Sequence, residues 1–244
     1  MRIGILQTGK VKDALAERHG EYPEMFARLL AAADAGLRFE TFAAVDGEVP
    51  GATDCDGWLI TGSRHGVYDD LPWITPLERM LREARAAGRP ILGVCFGHQI
   101  LAQAFGGRAE KSDAGWGVGV HRYRILERPA WMGDAPEQGA WHAMHQDQVT
   151  AVPEDATLLA TSEFCPYAML AYGDPEPPEA VSIQPHPEFG EAFARELLEA
   201  RGANIPAPVA ERARQSFGAR VDSERFAQWA AGFFRRAARA RAAA

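Results

Sequence analysis

The stretch that most restricts how this chain can fold is Arg89 to Gly107, RPILGVCFGHQILAQAFGG. An apolar run from Ile91 to Val94 leads into Gly93-Val94-Cys95-Phe96-Gly97. An amphipathic segment follows, with Ile100, Leu101 and Phe105 on one face, until Gly106-Gly107 stops it. The pattern spells strand, sharp turn, helix. Such a turn thrusts its middle residue, Cys95, into a strained position at the carboxyl end of the strand, and flanking glycines give room where side chains would clash. Cys95 also stands just before a helix, whose unpaired amides and partial positive charge attract a thiolate. The residues alone leave two readings, a nucleophilic cysteine or a free thiol buried in the core.

Around this turn, strands and helices alternate. Met1 to Thr8 reads as a strand, Tyr22 to Ala33 as a helix, Leu37 to Val45 and Gly57 to Thr61 as strands, and Trp73 to Gly88 as a helix leading to the Cys95 strand. This spacing implies right-handed crossovers and an α/β fold with a doubly wound, mostly parallel sheet, whose ligands bind at the carboxyl ends of the strands. Cys95 and the glycine-containing loop Gly62-Ser63-Arg64-His65-Gly66 both fall there. After Gly107 the pattern changes to short Gly-, Trp- and Val-rich segments, read as a short antiparallel arm or edge. Cys165 to Tyr172 and Ala180 to Gln184 read as further strands. Glu191 to Ala200 and Ser223 to Arg239 read as C-terminal helices joined by a loop containing Pro206 and Pro208. The expected organisation is one domain over residues 1–190 with a helical extension, 191–244, packed on it. The stripe Phe226, Trp229, Phe233 and Phe234 reads as core packing, with a partner-binding face as the other reading.

The balance of charge narrows the classes of partner. With 26 Lys and Arg against 33 Asp and Glu, the net charge is -7, which gives no general attraction for nucleic acid or an anionic membrane. The chain opens directly into an apolar strand, and no stretch approaches the roughly 18 apolar residues of a membrane span, so a cytoplasmic protein is expected. Cys55, Cys95 and Cys165 are odd in number and widely separated, which indicates neither a disulfide framework nor a thiolate metal site.

A nucleophilic cysteine needs a base, and a third group to orient that base. Of the seven histidines, His19 reads as lying in a polar loop, His98 one turn into the helix behind Cys95, and His121 in the antiparallel region. His186 differs, since it follows a strand at the same sheet end as Cys95, between two prolines, with Glu188 two residues on. In an extended segment i and i+2 point to the same side, so Glu188 can hold the imidazole from behind. A surface ion pair is the other reading of the same spacing.

Gly93-Val94-Cys95-Phe96-Gly97-His98-Gln99 together with His186-Pro187-Glu188 resembles the class I glutamine amidotransferase family, over roughly Trp58 to Phe189. The resemblance implies a flavodoxin-like fold and a Cys-His-Glu triad. Cys95 would be the nucleophile, His186 the base and then acid, and Glu188 the orienting group. Gln99 would help hold the amino-acid end of the substrate. The oxyanion would be held by the amide of Phe96 and one from Gly62 or Ser63, where the family commonly has two glycines. The segment Trp141 to Val149, with His145, Gln146 and Asp147, resembles the loop that lies over the substrate. Two histidines three apart with an aspartate would suit a metal only with a further ligand, and none accompanies them, so neither a metal nor a cofactor is expected.

The implied chemistry is hydrolysis of the glutamine side-chain amide to glutamate and ammonia through a γ-glutamyl thioester. The chain has no G-x-x-x-x-G-K-S/T, no S-G-G-x-D-S loop and no expected room for a synthetase domain after the triad. Three readings remain open. Ammonia is handed to a separate synthetase subunit, or a stand-alone γ-glutamyl hydrolase or peptidase cleaves small γ-glutamyl compounds, or the fold is a catalytically silent binding module.

Overall fold

The structure is a computed structural model describing residues 1–243. Its amino-terminal half comprises β1 (Arg2–Leu6), α1 (Asp13–His19), α2 (Tyr22–Ala33), β2 (Arg38–Phe42), β3 (Gly57–Ile60), α3 (Ile74–Ala86), β4 (Ile91–Val94) and α4 (Phe96–Ala104). The strands β5 (Arg108–Lys111), β6 (Gly117–Ile125), β7 (Gln138–His145), β8 (Asp147–Ala151), β9 (Ala156–Thr161), β10 (Met169–Tyr172) and β11 (Ala180–Ile183) follow. The chain then turns helical through α5 (Glu191–Arg201), α6 (Ala207–Ser216) and α7 (Ser223–Ala243).

Nine strands form one sheet in the order β2-β1-β3-β4-β11-β10-β9-β6-β7, and β5 pairs with β8 apart from it. From β2 to β11 the neighbours are parallel, and from β11 to β7 they are antiparallel. The antiparallel region expected after Gly107 is therefore mostly a continuation of the main sheet. β3, β4 and β11 are buried throughout, as parallel strands covered on both faces must be. Alternation along them divides the core. Trp58, Ile60 and Ile91 pack with Leu77, Leu81, Ile100 and Leu101 on the α3–α4 side. Leu59, Leu92 and Val94 pack with Phe26, Leu30 and the α7 stripe on the other. Phe226, Trp229, Phe233 and Phe234 are all buried, so the stripe is core.

Local sequence rules explain where the elements depart from expectation. The predicted strand 165–172 begins only at Met169, because Ser162 and Cys165 close a turn, with the Ser162 amide on the Cys165 carbonyl at 2.9 Å and the Cys165 amide on Ser162 Oγ at 2.9 Å. The predicted loop around Pro206 and Pro208 holds a helix, α6, since a proline in the first turn lacks only an amide that has no helical partner anyway. His19, expected in a loop, ends α1 and meets Glu196 at 3.1 Å. A third apolar cluster joins α1, α5 and α6 around Tyr22, Phe189, Phe193 and Leu197, near the carboxyl ends of the parallel strands.

Candidate active site

Cys95 follows the last residue of β4 and caps α4 with φ 54° and ψ -105°, and is the one positive-φ residue other than glycine among the described residues. Such a conformation costs of order 1–3 kcal/mol and persists only where its surroundings enforce it. Here they do. A Cβ on Gly93 would lie 2.4 Å from the Gly97 carbonyl oxygen, and one on Gly97 would lie 2.5 Å from that of Ile60. The start of α4 thus rests directly on the main chain of β3 and β4. The Cys95 amide donates to the Ile183 carbonyl at 2.9 Å, tying the turn to β11.

His186 arrives from the end of β11. Its amide donates to the His142 carbonyl at 2.8 Å, its Nδ1 meets Glu188 Oε1 at 2.7 Å, and its ring stacks on Phe189 with centroids 4.0 Å apart and planes 7° apart. The side chains of His186 and Glu188 are 5% and 0% exposed, so the surface ion pair is excluded. Burial disfavours the imidazolium, but the Glu188 charge, then the Cys95 charge and hydrogen bond, outweigh it and raise the His186 pKa to about 10. Gly62 presses on this pair from the β3 side, where a Cβ would sit 2.8 Å from His186 Cε1 and 3.6 Å from Cys95 Cβ.

Cys95 opens onto a cavity of about 240 Å³ whose lining includes Ser63, Gln99, His145, Gln146 and Asp147. Gly62 and Phe96 are not among its lining residues. The Phe96 side chain is buried against Trp73, and its amide opens α4, where no carbonyl of the same helix can reach it. Gln99 Nε2 donates to the Asp147 carbonyl at 3.0 Å and to Gln184 Oε1 at 3.1 Å. Tyr68 donates to Asp147 Oδ2 at 3.0 Å, clasping the loop after β3 to the start of β8. Burial, then the neighbouring Asp147 charge, raises the Tyr68 pKa to about 12. Arg64, Lys111 and Arg201 also line the cavity, and none forms an ion pair among the described residues.

The remaining thiols and histidines sit in different settings. Burial, then the Cys95 charge, raises the Cys165 pKa to about 12, and burial raises that of Cys55. Burial lowers His145 to about 3 and His142 to about 4, which keeps both rings neutral. Being three apart on β7, they face opposite ways, His142 toward Phe217 and His145 toward Phe164. Among the described residues no three His, Cys, Asp or Glu side chains gather as a metal site.

Sequence reasoning gave a substrate or oxyanion role to Ser63, Gln99, His145, Gln146 and Asp147 of the groups around Cys95, and none to Gln184, Lys111, Arg201 or Phe189. Gln184 adjoins the Pro185-His186-Pro187-Glu188 segment and Phe189 ends it, so proximity in sequence was the available signal. Lys111 and Arg201 come from β5 and α5, and no local pattern ties them to Cys95.

Comparison with known proteins places the fold and the family. A glutamine amidotransferase structure from Methylobacillus Flagellatus superposes with a TM-score of 0.74 at 21% identity, covering 98% of this chain and 94% of that one. The fold is thus the one glutamine amidotransferases have. The chain matches the glutamine amidotransferase class-I family over residues 21–201 and belongs to it. It is 32% identical over 173 residues to gamma-glutamyl peptidase 3 of Arabidopsis thaliana, covering 67% of this chain and 68% of that protein. It is also 32% identical over 176 residues to a subunit of the glutamine-hydrolyzing GMP synthase of Halobacterium salinarum, covering 71% and 87%. Among the described residues no helix is long and apolar enough to cross a membrane.

Proposed function

We propose that the chain hydrolyses the γ-amide bond of glutamine through a Cys95-His186-Glu188 triad. The observation that carries this reading is the buried His186–Glu188 pair at 2.7 Å, packed with Cys95 against Gly62, where a strained turn presents the cysteine to an open cavity. Cys95 thiolate attacks the side-chain amide carbon, and the oxyanion is held by the Phe96 amide and a loop amide. Ser63 suits that second role better than Gly62, because Ser63 lines the cavity while Gly62 packs on the imidazole. His186 gives its proton to the departing ammonia, leaving a γ-glutamyl thioester, and then activates the water that releases glutamate. Glu188 orients His186 and stabilises its charged form. A separate synthetase subunit would receive the ammonia, a reading supported by the likeness to one component of a GMP synthase.

A second reading has its own observation. Arg64, Lys111 and Arg201, none of them in an ion pair among the described residues, bring three cations to one cavity that Asp69 and Asp147 also line, in a chain whose net charge is -7. Such a wall would receive the carboxylate of a γ-glutamyl peptide tail as well as that of glutamine, in keeping with the likeness to a gamma-glutamyl peptidase. The test compares turnover of L-glutamine with that of γ-glutamyl dipeptides by the purified chain. Brisk cleavage of dipeptides with none of glutamine overturns the first reading. Slow glutamine hydrolysis accelerated by a synthetase subunit supports it. In either case Cys95→Ala is expected to leave almost no activity.

A further inference from the structure

The two ends of the Gln99 side-chain amide are chemically opposite, since the nitrogen donates and the oxygen accepts. Its Nε2 lies 3.0 Å from the main-chain oxygen of Asp147, which can only accept, so that contact determines which end is the nitrogen. The second N–H goes to Gln184 Oε1 at 3.1 Å. With both hydrogens engaged, the polar atom Gln99 has left for the cavity is its oxygen, and no described group donates to it.

Gln184 is fully buried, with its amide on the Ala168 carbonyl at 2.8 Å and the Pro185-His186 segment directly following. Its own Nε2 is buried with no partner. An orphaned buried donor is destabilising, so satisfaction of its own hydrogen bonds does not account for a glutamine there. What its oxygen does for Gln99 accounts for it.

We propose that Gln184 is a positioning residue that locks the Gln99 amide with its oxygen turned into the cavity, as an acceptor for the α-ammonium of a γ-glutamyl substrate. This rests on the γ-glutamyl reading above. Without Gln184, one N–H of Gln99 has no partner in a buried wall, and only the Asp147 contact still resists rotation of the amide. A rotated amide offers a donor to a cationic group and repels it. The effect therefore falls on recognition of the ammonium, with the thiol, imidazole and oxyanion amides left in place.

The experiment measures kcat/KM for two substrate pairs that differ only in the α-amino group, L-glutamine with glutaramic acid and γ-glutamylglycine with glutarylglycine. The wild-type chain is expected to prefer the amino-bearing member by on the order of 10- to 100-fold, the range of one hydrogen bond to a charged group. Gln184→Met keeps the length and removes the acceptor, and the preference is expected to fall below about 3-fold, mostly through a higher KM for the amino-bearing member. Gln184→Glu restores an acceptor and is expected to restore the preference. A folded Gln184→Met that keeps the wild-type preference overturns the proposal, as does a Gln184→Glu that loses it. Should Gln184→Met fail to fold, Gln184→Glu decides by the same criterion. A wild-type chain that cleaves none of the four compounds refutes the γ-glutamyl reading itself, whereas cleavage without preference refutes only the role given to Gln99 and Gln184.

Discussion

Replacing Gly62 by alanine tests the geometry of the proposed triad with a single methyl group. The new Cβ would stand 2.8 Å from His186 Cε1, and ordinary contact begins at 3.4 Å, so the gap must open by about 0.6 Å. The backbone at Gly62 is free of positive φ, which removes conformational strain from the comparison. The imidazole has little room to yield, because Phe189 stacks on it at 4.0 Å and Glu188 holds its Nδ1 at 2.7 Å. Misplacing a reacting group by 1 Å costs on the order of 10²-fold in rate, so a shift of this size should cost kcat about 10-fold or somewhat more. KM should change little, because Ser63 rather than Gly62 lines the cavity. Steady-state kinetics on glutamine and a γ-glutamyl dipeptide, with a melting curve to show that the fold survives, make the measurement. A folded Gly62→Ala with kcat within 2-fold of wild type would refute the argument that imidazole position limits the rate.

Three further expectations follow from the same geometry. An electrophilic glutamine analogue should label one thiol, Cys95, while Cys55→Ala and Cys165→Ala stay active, since burial raises the pKa of both other thiols; labelling at a second cysteine by peptide mapping counts against it. Glu188→Gln should lower turnover, yet stop short of the near-total loss in His186→Ala, and it should change stability against pH. A His186 pKa raised to about 10 stabilises the fold in full below its ordinary value near 6.5, and this is lost as pH rises to about 10. The melting temperature should accordingly fall more steeply across that window in wild type than in Glu188→Gln, and identical profiles would remove Glu188 as the cause. Tyr68→Phe deletes the donor to Asp147 and is expected to raise KM about 2- to 10-fold with little change in kcat, as befits one partly exposed hydrogen bond to a carboxylate; an unchanged KM means the clasp does not shape the cavity.

Much of this protein is written locally. The strand, turn and helix around Cys95 follow from the apolar run, two glycines and amphipathic spacing, because hydrogen bonding and steric fit there involve near neighbours. The His186–Glu188 pair is equally local, being two residues apart. Elements whose signals conflict were harder to read. Prolines 206 and 208 look like a loop in sequence and start a helix, since the context of a first turn decides how a proline acts. What no local pattern contains is distance between remote segments. That β4 and β11 are neighbours brings Cys95 and His186 together against Gly62, although residues 95 and 186 lie far apart in the chain. The same crossover buries the ion pair, so that a contact worth little on a surface raises the imidazole pKa. Lys111 and Arg201 reach the cavity from a separate two-stranded sheet and the end of a later helix, and Gln184, just after β11, meets Gln99 on α4. Residue type determined what chemistry each group can do, and the parallel sheet, by aligning the carboxyl ends of its strands, decided which groups do it together.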